Sequence, residues 1–327
     1  MVTNGELTQI NSYQNQLFFI NSINLSYMKR LFFKTLMLLL ISSSAVAQKT
    51  PTRVLIIGLD GFSAEGFKIA KHPNLDKMIA EGVLSLTTRP VMPSVTLPNW
   101  TSHLTGSGPE EHGITSNDWT LAKNPLASIA TDQEGYYPSI FKLLKEKVPN
   151  VKTAYYYNWK ELINPINQKY LDEVSFEEKD DYRANYTKAN DFLVKNQKNP
   201  TLVFLYSVHT DHAGHTYGWM SDPYIKAIEE ADIAIGALLE KLKVEGLYKD
   251  THFLLITDHG GINKGHGGVS MNEMQVPWAI TGPQIKKGGL ITELNSNKNT
   301  SLVLAKLFGV KDVPDFWTGT LLKIIFK

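Results

Sequence analysis

The chain has 327 residues, 43% hydrophobic and 20% charged, with 33 basic against 32 acidic side chains and a formal net charge of +1. That composition excludes a disordered chain, and the balance of charge argues against a protein that grips nucleic-acid duplexes by neutralising phosphates. Cysteine is absent, which excludes disulfide scaffolds, thiolate zinc sites, cysteine nucleophiles and lipid-modified cysteines, so any metal must sit on histidine and oxygen.

The first element is a leader. Met28-Lys29-Arg30 precedes an apolar run from Leu31 to Ile41, and small residues follow, ending in Ala45-Val46-Ala47 before Gln48. A positive start, an apolar middle and an A-x-A cleavage site are the parts of a secretory signal peptide, here residues 28–47. The run is shorter than the roughly 20 residues that span a bilayer, and Lys34 interrupts it, so no membrane span is expected in the mature protein. Residues 1–27 lie upstream of a good start methionine and read as an extension foreign to the native protein. The expected mature chain begins at Gln48 and is periplasmic or secreted. Removing residues 1–47 takes away Lys29, Arg30, Lys34 and Glu6, leaving 30 basic against 31 acidic residues.

Arg53 to Gly58 is a short continuous apolar run rich in β-branched residues, the pattern of a strand buried on both faces. Thr201 to Tyr206 and His252 to Thr257 repeat it, and Val151 to Tyr155 is a weaker fourth. Helical patterns lie between these runs, near Asn74 to Ala80, near Ser139 to Glu146, and from Asp222-Pro223 onward. In the last, Ile225, Ile228, Ile235, Leu238, Leu239 and Leu242 share one face, Asp222 is placed to cap, Pro223 suits the first turn and Gly246 can end the helix. Strands alternating with helices predict a three-layer α/β/α fold with a mostly parallel central sheet. The more polar stretch around 107–200, with its aromatics, is expected to overhang the sheet as a small cap-like insertion, and residues 48–327 are expected to form one catalytic domain.

The carboxylates and histidines collect where strands end. Asp60 follows the first strand in Gly58-Leu59-Asp60-Gly61, Asp211 and His215 follow the second apolar run in Asp211-His212-Ala213-Gly214-His215, and Asp258-His259 follow the third, with His266 seven residues later. Ligands of open α/β sheets bind outside the carboxyl ends of the strands. Three Asp and three His offering oxygen and nitrogen suit one or two zinc-like ions, and two ions would clamp the attacking and leaving oxygens of a phosphoryl displacement. Taken singly, each residue is equally read as a helix cap or a satisfied polar side chain; taken together, carboxylates converging at one sheet edge would repel one another without a cation. Thr96 stands just before Pro98, at a predicted helix start. There it is either an ordinary cap or a nucleophile whose alkoxide the helix dipole and a metal stabilise.

These residues together resemble the alkaline phosphatase superfamily, most closely its type I phosphodiesterase and nucleotide pyrophosphatase branch. The matching pieces are GLDG with Asp60, VTLPN with Thr96, HGITSN with Asn117, DHAGH with Asp211 and His215, TDHGG with Asp258 and His259, and GHGG with His266, in the family's order. The resemblance implies an alkaline phosphatase-like fold and two Zn2+ ions, one on Asp211, His215 and His266, the other on Asp60, Asp258, His259 and the Thr96 hydroxyl. It further implies Thr96 as the catalytic nucleophile forming a phosphothreonine intermediate, later hydrolysed at the metal site. Asn117 would bond a non-bridging oxygen of a small phosphate-ester substrate; outside the resemblance it reads as a turn asparagine.

Departures narrow the choice. Sulfatases of this superfamily need a Cys or Ser followed by Pro and Arg in C/S-x-P-x-R, whereas this chain has Thr96-Leu97-Pro98-Asn99-Trp100. Only six residues separate His259 from His266, where animal nucleotide pyrophosphatases carry a long insertion that shapes the nucleotide pocket. The alternatives are a phosphomonoesterase or an enzyme like phosphonoacetate hydrolase, favoured if Lys264 or Arg183 reaches the phosphate, and a metal-binding surface protein without turnover. His209, His212 and Lys264 lie beside the ligands, and Tyr155 to Trp159 could stack on a leaving group or simply pack.

Overall fold

The apolar runs become the middle of one seven-stranded sheet. In the computed structural model, which describes residues 28–30, 51–178 and 181–327, the strands are β1 Arg53–Leu59, β2 Gly82–Thr88, β3 Lys152–Tyr157, β4 Glu173–Phe176, β5 Thr201–Ser207, β6 Thr251–Ile256 and β7 Val276–Thr281. Their order across the sheet is β2-β7-β6-β1-β5-β3-β4. The β1 strand pairs in parallel with β5 and β6, and β3 pairs in parallel with β4 and β5. Only β7 runs against the rest, antiparallel to both β2 and β6.

Alternation along the central strands separates two cores, because successive strand side chains point to opposite faces. Val54, Ile56, Phe204 and Leu254 belong to one core with Trp100 and Leu104 of helix Thr96–Thr105, Phe141 of helix Ile140–Lys147 and Val303 of helix Thr300–Leu307. Leu55, Ile57, Val203 and Leu255 belong to the other, with Leu75 of helix Pro73–Ile79, Phe192 of helix Tyr182–Lys195 and the apolar face of helix Asp222–Val244. The expected three-layer α/β/α arrangement with a mostly parallel sheet is therefore present.

Several local expectations are corrected. Ser221, not Asp222, caps the long helix, its side chain accepting from Tyr224 N–H, while Asp222 and Pro223 occupy the first turn. Within 107–200, β3 and β4 join the sheet and helices Ile140–Lys147 and Tyr182–Lys195 cover its two faces. The apolar faces of these strands and helices bury into both cores, while residues 113–139 form no named helix or strand. Sequence patterning missed β2, β4 and β7 for separate reasons. The two edge strands are only half-buried, and β7 carries Pro277 where the β2 register shifts between Ser85 and Thr88, a residue that argues against a strand by its missing N–H. The 28–47 leader lies outside the described residues except for helical Met28–Arg30, as do residues 1–27. Among the described residues no helix is long and apolar enough to cross a membrane.

Because all strands but β7 share a direction, the segments after β1, β2, β5 and β6 emerge on one edge of the sheet. They carry Asp60, Thr96, Asp211 and Asp258 respectively. The scaffold under this edge is intolerant of voids. Leu55→Ala at a fully buried position of β1 should lower unfolding stability by about 2–5 kcal/mol, whereas Ile69→Ala, 53% exposed, should stay within about 0.5 kcal/mol. Urea denaturation of both variants checks the contrast.

Candidate active site

Asp60 is the first residue after β1, fully buried, and its backbone N–H donates to Ser207 O at 3.0 Å, extending the β1–β5 ladder by one bond. The chain then turns sharply through Gly61, whose φ of +64° and 3.1 Å approach of a notional Cβ to Asp211 leave no room for a side chain. Asp211 and His215 lie one turn apart on helix His209–Tyr217, so both project from one face. Asp258 and His259 leave β6 directly, and the Gly260 that follows would drive a Cβ to within 2.0 Å of Asn272 O. His266 returns on the same loop. Thr96 opens helix Thr96–Thr105, with Val95 at the cap position and no side-chain capping bond. Its hydroxyl is thus spared the duty of a cap.

These segments meet. Thr96 Oγ1 lies 3.3 Å from His259 Nε2, and the same nitrogen is 3.1 Å from Asp258 Oδ2 and 3.6 Å from Asp60 Oδ1. Asp211 Oδ2 is 3.5 Å from His215 Nε2, Asp211 Oδ1 is 3.8 Å from His266 Nε2, and the two imidazole nitrogens are 3.1 Å apart. The donor atoms of Asp211, His215 and His266 are close enough together to hold one ion, and so are those of Asp60, Asp211 and His259. Asp211 therefore lies near both predicted sets, and Asp258 flanks His259 in the second. The rings of His259 and His266 stack at 3.7 Å, binding the two sets into one centre.

The tautomers are prepared for metal. His215, His259 and His266 direct Nδ1 at the carbonyls of Lys264, Gly260 and Ser94, at 2.9, 2.8 and 3.0 Å. A carbonyl only accepts, so each Nδ1 carries the proton and each Nε2 presents a lone pair inward. The carboxylates make the complementary case. Asp60 Oδ1, Asp211 Oδ1 and Asp258 Oδ2 are buried without a hydrogen-bond partner, an arrangement that is costly unless a cation meets them. The donor set of three carboxylates, three imidazoles and a hydroxyl fits zinc-type ions.

Asn117 is tied to the start of the Thr96 helix through a contact the sequence did not suggest. Its Oδ1 accepts from Leu97 N–H at 2.8 Å, which fixes the amide orientation and leaves the NH2 end as a donor. His209 stacks on Tyr182 at 4.0 Å and meets Ala227 O at 3.0 Å, while Lys264 Nζ donates to Thr216 O. The aromatic run packs: Tyr155 and Tyr156 are fully buried, one in each core. Three site residues escaped the sequence reading. Tyr206 and Trp100 bond Asp60, and Trp219 donates to Gly61 O at 3.0 Å while its ring lies edge-on to His215 at 5.2 Å. The available signal was an aromatic with a polar tip beside each motif, which also describes an ordinary core residue.

Burial and mutual repulsion dominate the electrostatics. Burial, then the neighbouring Asp258 charge, raise Asp60 to about 8; burial raises Asp258 to about 7; burial followed by Asp60 and Asp258 holds Asp211 well above the carboxylate range. Burial lowers His259, and burial and then His259 lower His266 to about 3, keeping both neutral. A carboxyl near 4 when unfolded and near 7 to 8 when folded binds more protons folded, so metal-free stability falls as pH rises through that window. A bound cation removes this loss. The rise in melting temperature on adding zinc to chelator-treated protein should therefore be larger at pH 8 than at pH 5, by thermal unfolding; equal increments would show that these carboxyls do not couple to the metal.

The family model described as Type I phosphodiesterase / nucleotide pyrophosphatase matches residues 54–275. The chain is 29% identical over 220 residues to ectonucleotide pyrophosphatase/phosphodiesterase family member 3 of Mus musculus, covering 63% of this chain and 24% of that protein. It is 29% identical over 223 residues to bis(5'-adenosyl)-triphosphatase ENPP4 of Homo sapiens, covering 64% of this chain and 48% of that protein. The match thus spans less than half the length of these relatives. Murine ectonucleotide pyrophosphatase / phosphodiesterase 5, solved as an inactive variant in complex with AMP, superimposes with a TM-score of 0.69 at 15% identity, over 84% of this chain and all of that one. The human counterpart gives 0.69 at 16% identity, over 82% and 97%. With more than half of its length matched by the family model, the chain belongs to the type I phosphodiesterase / nucleotide pyrophosphatase family.

Proposed function

We propose that the protein is an exported, metal-dependent phosphodiester hydrolase with Thr96 as nucleophile. The observation that carries the reading is the meeting of a helix-start hydroxyl with three buried carboxylates, each keeping an unpartnered oxygen, and three imidazoles with Nε2 turned inward. Asp211, His215 and His266 would hold one zinc, and Asp60, Asp258, His259 and Thr96 Oγ1 the other. Such ions supply Lewis acidity, lowering the pKa of a bound hydroxyl and neutralising charge on the departing oxygen.

The chain's own groups supply the rest. The Thr96 hydroxyl, at the positive end of its helix, gives up its proton and attacks phosphorus in line, the P–O bond to the leaving alcohol breaks as that oxygen takes up a proton, and the result is a phosphothreonine that still carries the second ester. The Asn117 amide, held by Leu97 N–H, donates to a non-bridging oxygen as charge grows there. Water then attacks the same phosphorus from the vacated side, and the threonine hydroxyl is restored. A neutral amide suits a diester, which carries one negative charge. The second charge of a monoester would call for a cation, yet Lys264 Nζ donates to Thr216 O, and Arg183 pairs with Glu230 at 3.9 Å and lies over Tyr182. This favours diesters over the phosphomonoesterase and phosphonate alternatives. A nucleotide leaving group fits the relatives' names, and the short His259–His266 link supports a different or broader choice.

Zinc-loaded protein beginning at Gln48 should hydrolyse bis-nitrophenyl phosphate faster than nitrophenyl phosphate, and a ratio well below one would overturn the diester reading. Thr96→Ala should abolish detectable turnover while leaving the fold intact by circular dichroism. Asn117→Ala should lower kcat by about 10–1,000-fold with less effect on KM, as loss of a donor to developing charge does.

A further inference from the structure

Asp60 is held by one oxygen only. Tyr206 Oη and Trp100 Nε1 both donate to Oδ2, the indole at 3.3 Å, while Oδ1 keeps no hydrogen-bond partner and lies 3.6 Å from His259 Nε2. The two donors arrive from different elements, Tyr206 from β5 and Trp100 from the helix that Thr96 opens. Their rings pack edge to face at 5.3 Å, and both are fully buried. The strand beneath is shaped to admit the indole. A Cβ on Gly58 would stand 2.8 Å from Trp100 Cη2, so the first glycine of GLDG is where the ring passes under the carboxylate.

We propose that Tyr206 and Trp100 are positioning residues that make Asp60 a one-oxygen ligand. By occupying Oδ2 they deny the metal a second carboxylate contact and aim Oδ1 at the position shared with His259, Asp258 and the Thr96 hydroxyl. A carboxylate already saturated on one oxygen loses little rotational freedom when it binds, and its coordination number cannot drift. Because the indole rides on the nucleophile's own helix, the same bond sets the spacing between Asp60 and Thr96. This rests on the proposed metal chemistry but adds residues and a role that the metal ligands alone do not contain.

The experiment uses the full mature chain and measures metal binding without substrate. Zinc affinity is read by chelator competition, and cobalt-substituted protein gives a visible spectrum sensitive to coordination. Tyr206→Phe keeps the ring and removes the hydroxyl, and Trp100→Phe removes the N–H. Tyr155→Phe is the control, since Tyr155 packs on Phe204 in the same aromatic core and its hydroxyl bonds Leu162 O, remote from any ligand. Each positioning variant should weaken one of two zinc sites by about 10–100-fold, leave the other unchanged and alter the cobalt spectrum. Tyr155→Phe should bind as the parent does.

Parent-like zinc affinity and cobalt spectrum in Tyr206→Phe would overturn the proposal, as would equal weakening of both sites or equal loss in the Tyr155→Phe control. Failure of the parent chain to bind zinc or cobalt at all would overturn it together with the metal reading of the site. Parent-like metal binding without diester hydrolysis would overturn the proposed function alone.

Discussion

Three buried carboxylates converging at one edge of the sheet are the constraint around which this protein is arranged. At separations of a few ångströms in a low-dielectric interior, like charges cost far more than they do in water, and no lysine or arginine among the described residues pairs with Asp60, Asp211 or Asp258. The chain must therefore either keep protons on these groups or take up cations. Much of the surrounding architecture is legible as preparation for the second course: the Nδ1 anchors on carbonyls, the donors that satisfy one oxygen of Asp60, and the Gly61 N–H that satisfies Asp258 Oδ1 at 3.1 Å. Each leaves one lone pair pointing at the same place.

The preparation is uneven. The histidine and carboxylates nearest Thr96 are closed off, with His259, Asp60 and Asp258 side chains at most 1% exposed, while the His215 side chain is 43% exposed. The inner group is held by strands, a helix and buried aromatics. The outer group hangs on loop carbonyls from Ser94 and Lys264. Asn117 is fixed to the N–H of Leu97, the residue next to Thr96.

How much of this was legible in the sequence follows from where information sits. Strands buried on both faces write continuous apolar runs, so β1, β5 and β6 were read nearly to their ends, and the ligands one or two residues past them came with the strands. The edge strands β2 and β4 show no such run, and β7 hides behind Pro277. The meeting of these Asp and His side chains was legible because their glycine-flanked motifs follow the ends of strands that share one direction. Tyr206, Trp100 and Trp219 were not, since an aromatic in a strand or helix looks the same whether its polar tip is idle or holds a carboxylate. Within 107–200 the polarity belongs largely to turns, while Tyr155 and Phe141 are core.

The reversed direction of β7 has a consequence for where such a molecule can change. A parallel neighbour of β6 would require the chain to cross back beneath the sheet before re-entering, drawing the connection away from the catalytic edge. Because β7 is antiparallel, residues 257–275 form a hairpin-like excursion that begins and ends at that edge, and it carries Asp258, His259 and His266 along the way. The length of such an excursion is free of the sheet's geometry, and the entropy of closing it grows only slowly with added residues. Extensions between His259 and His266 would then build new walls around the bound ester without disturbing a single strand pairing. One strand's orientation thus makes this loop the point at which the scaffold can acquire new substrates by growth alone.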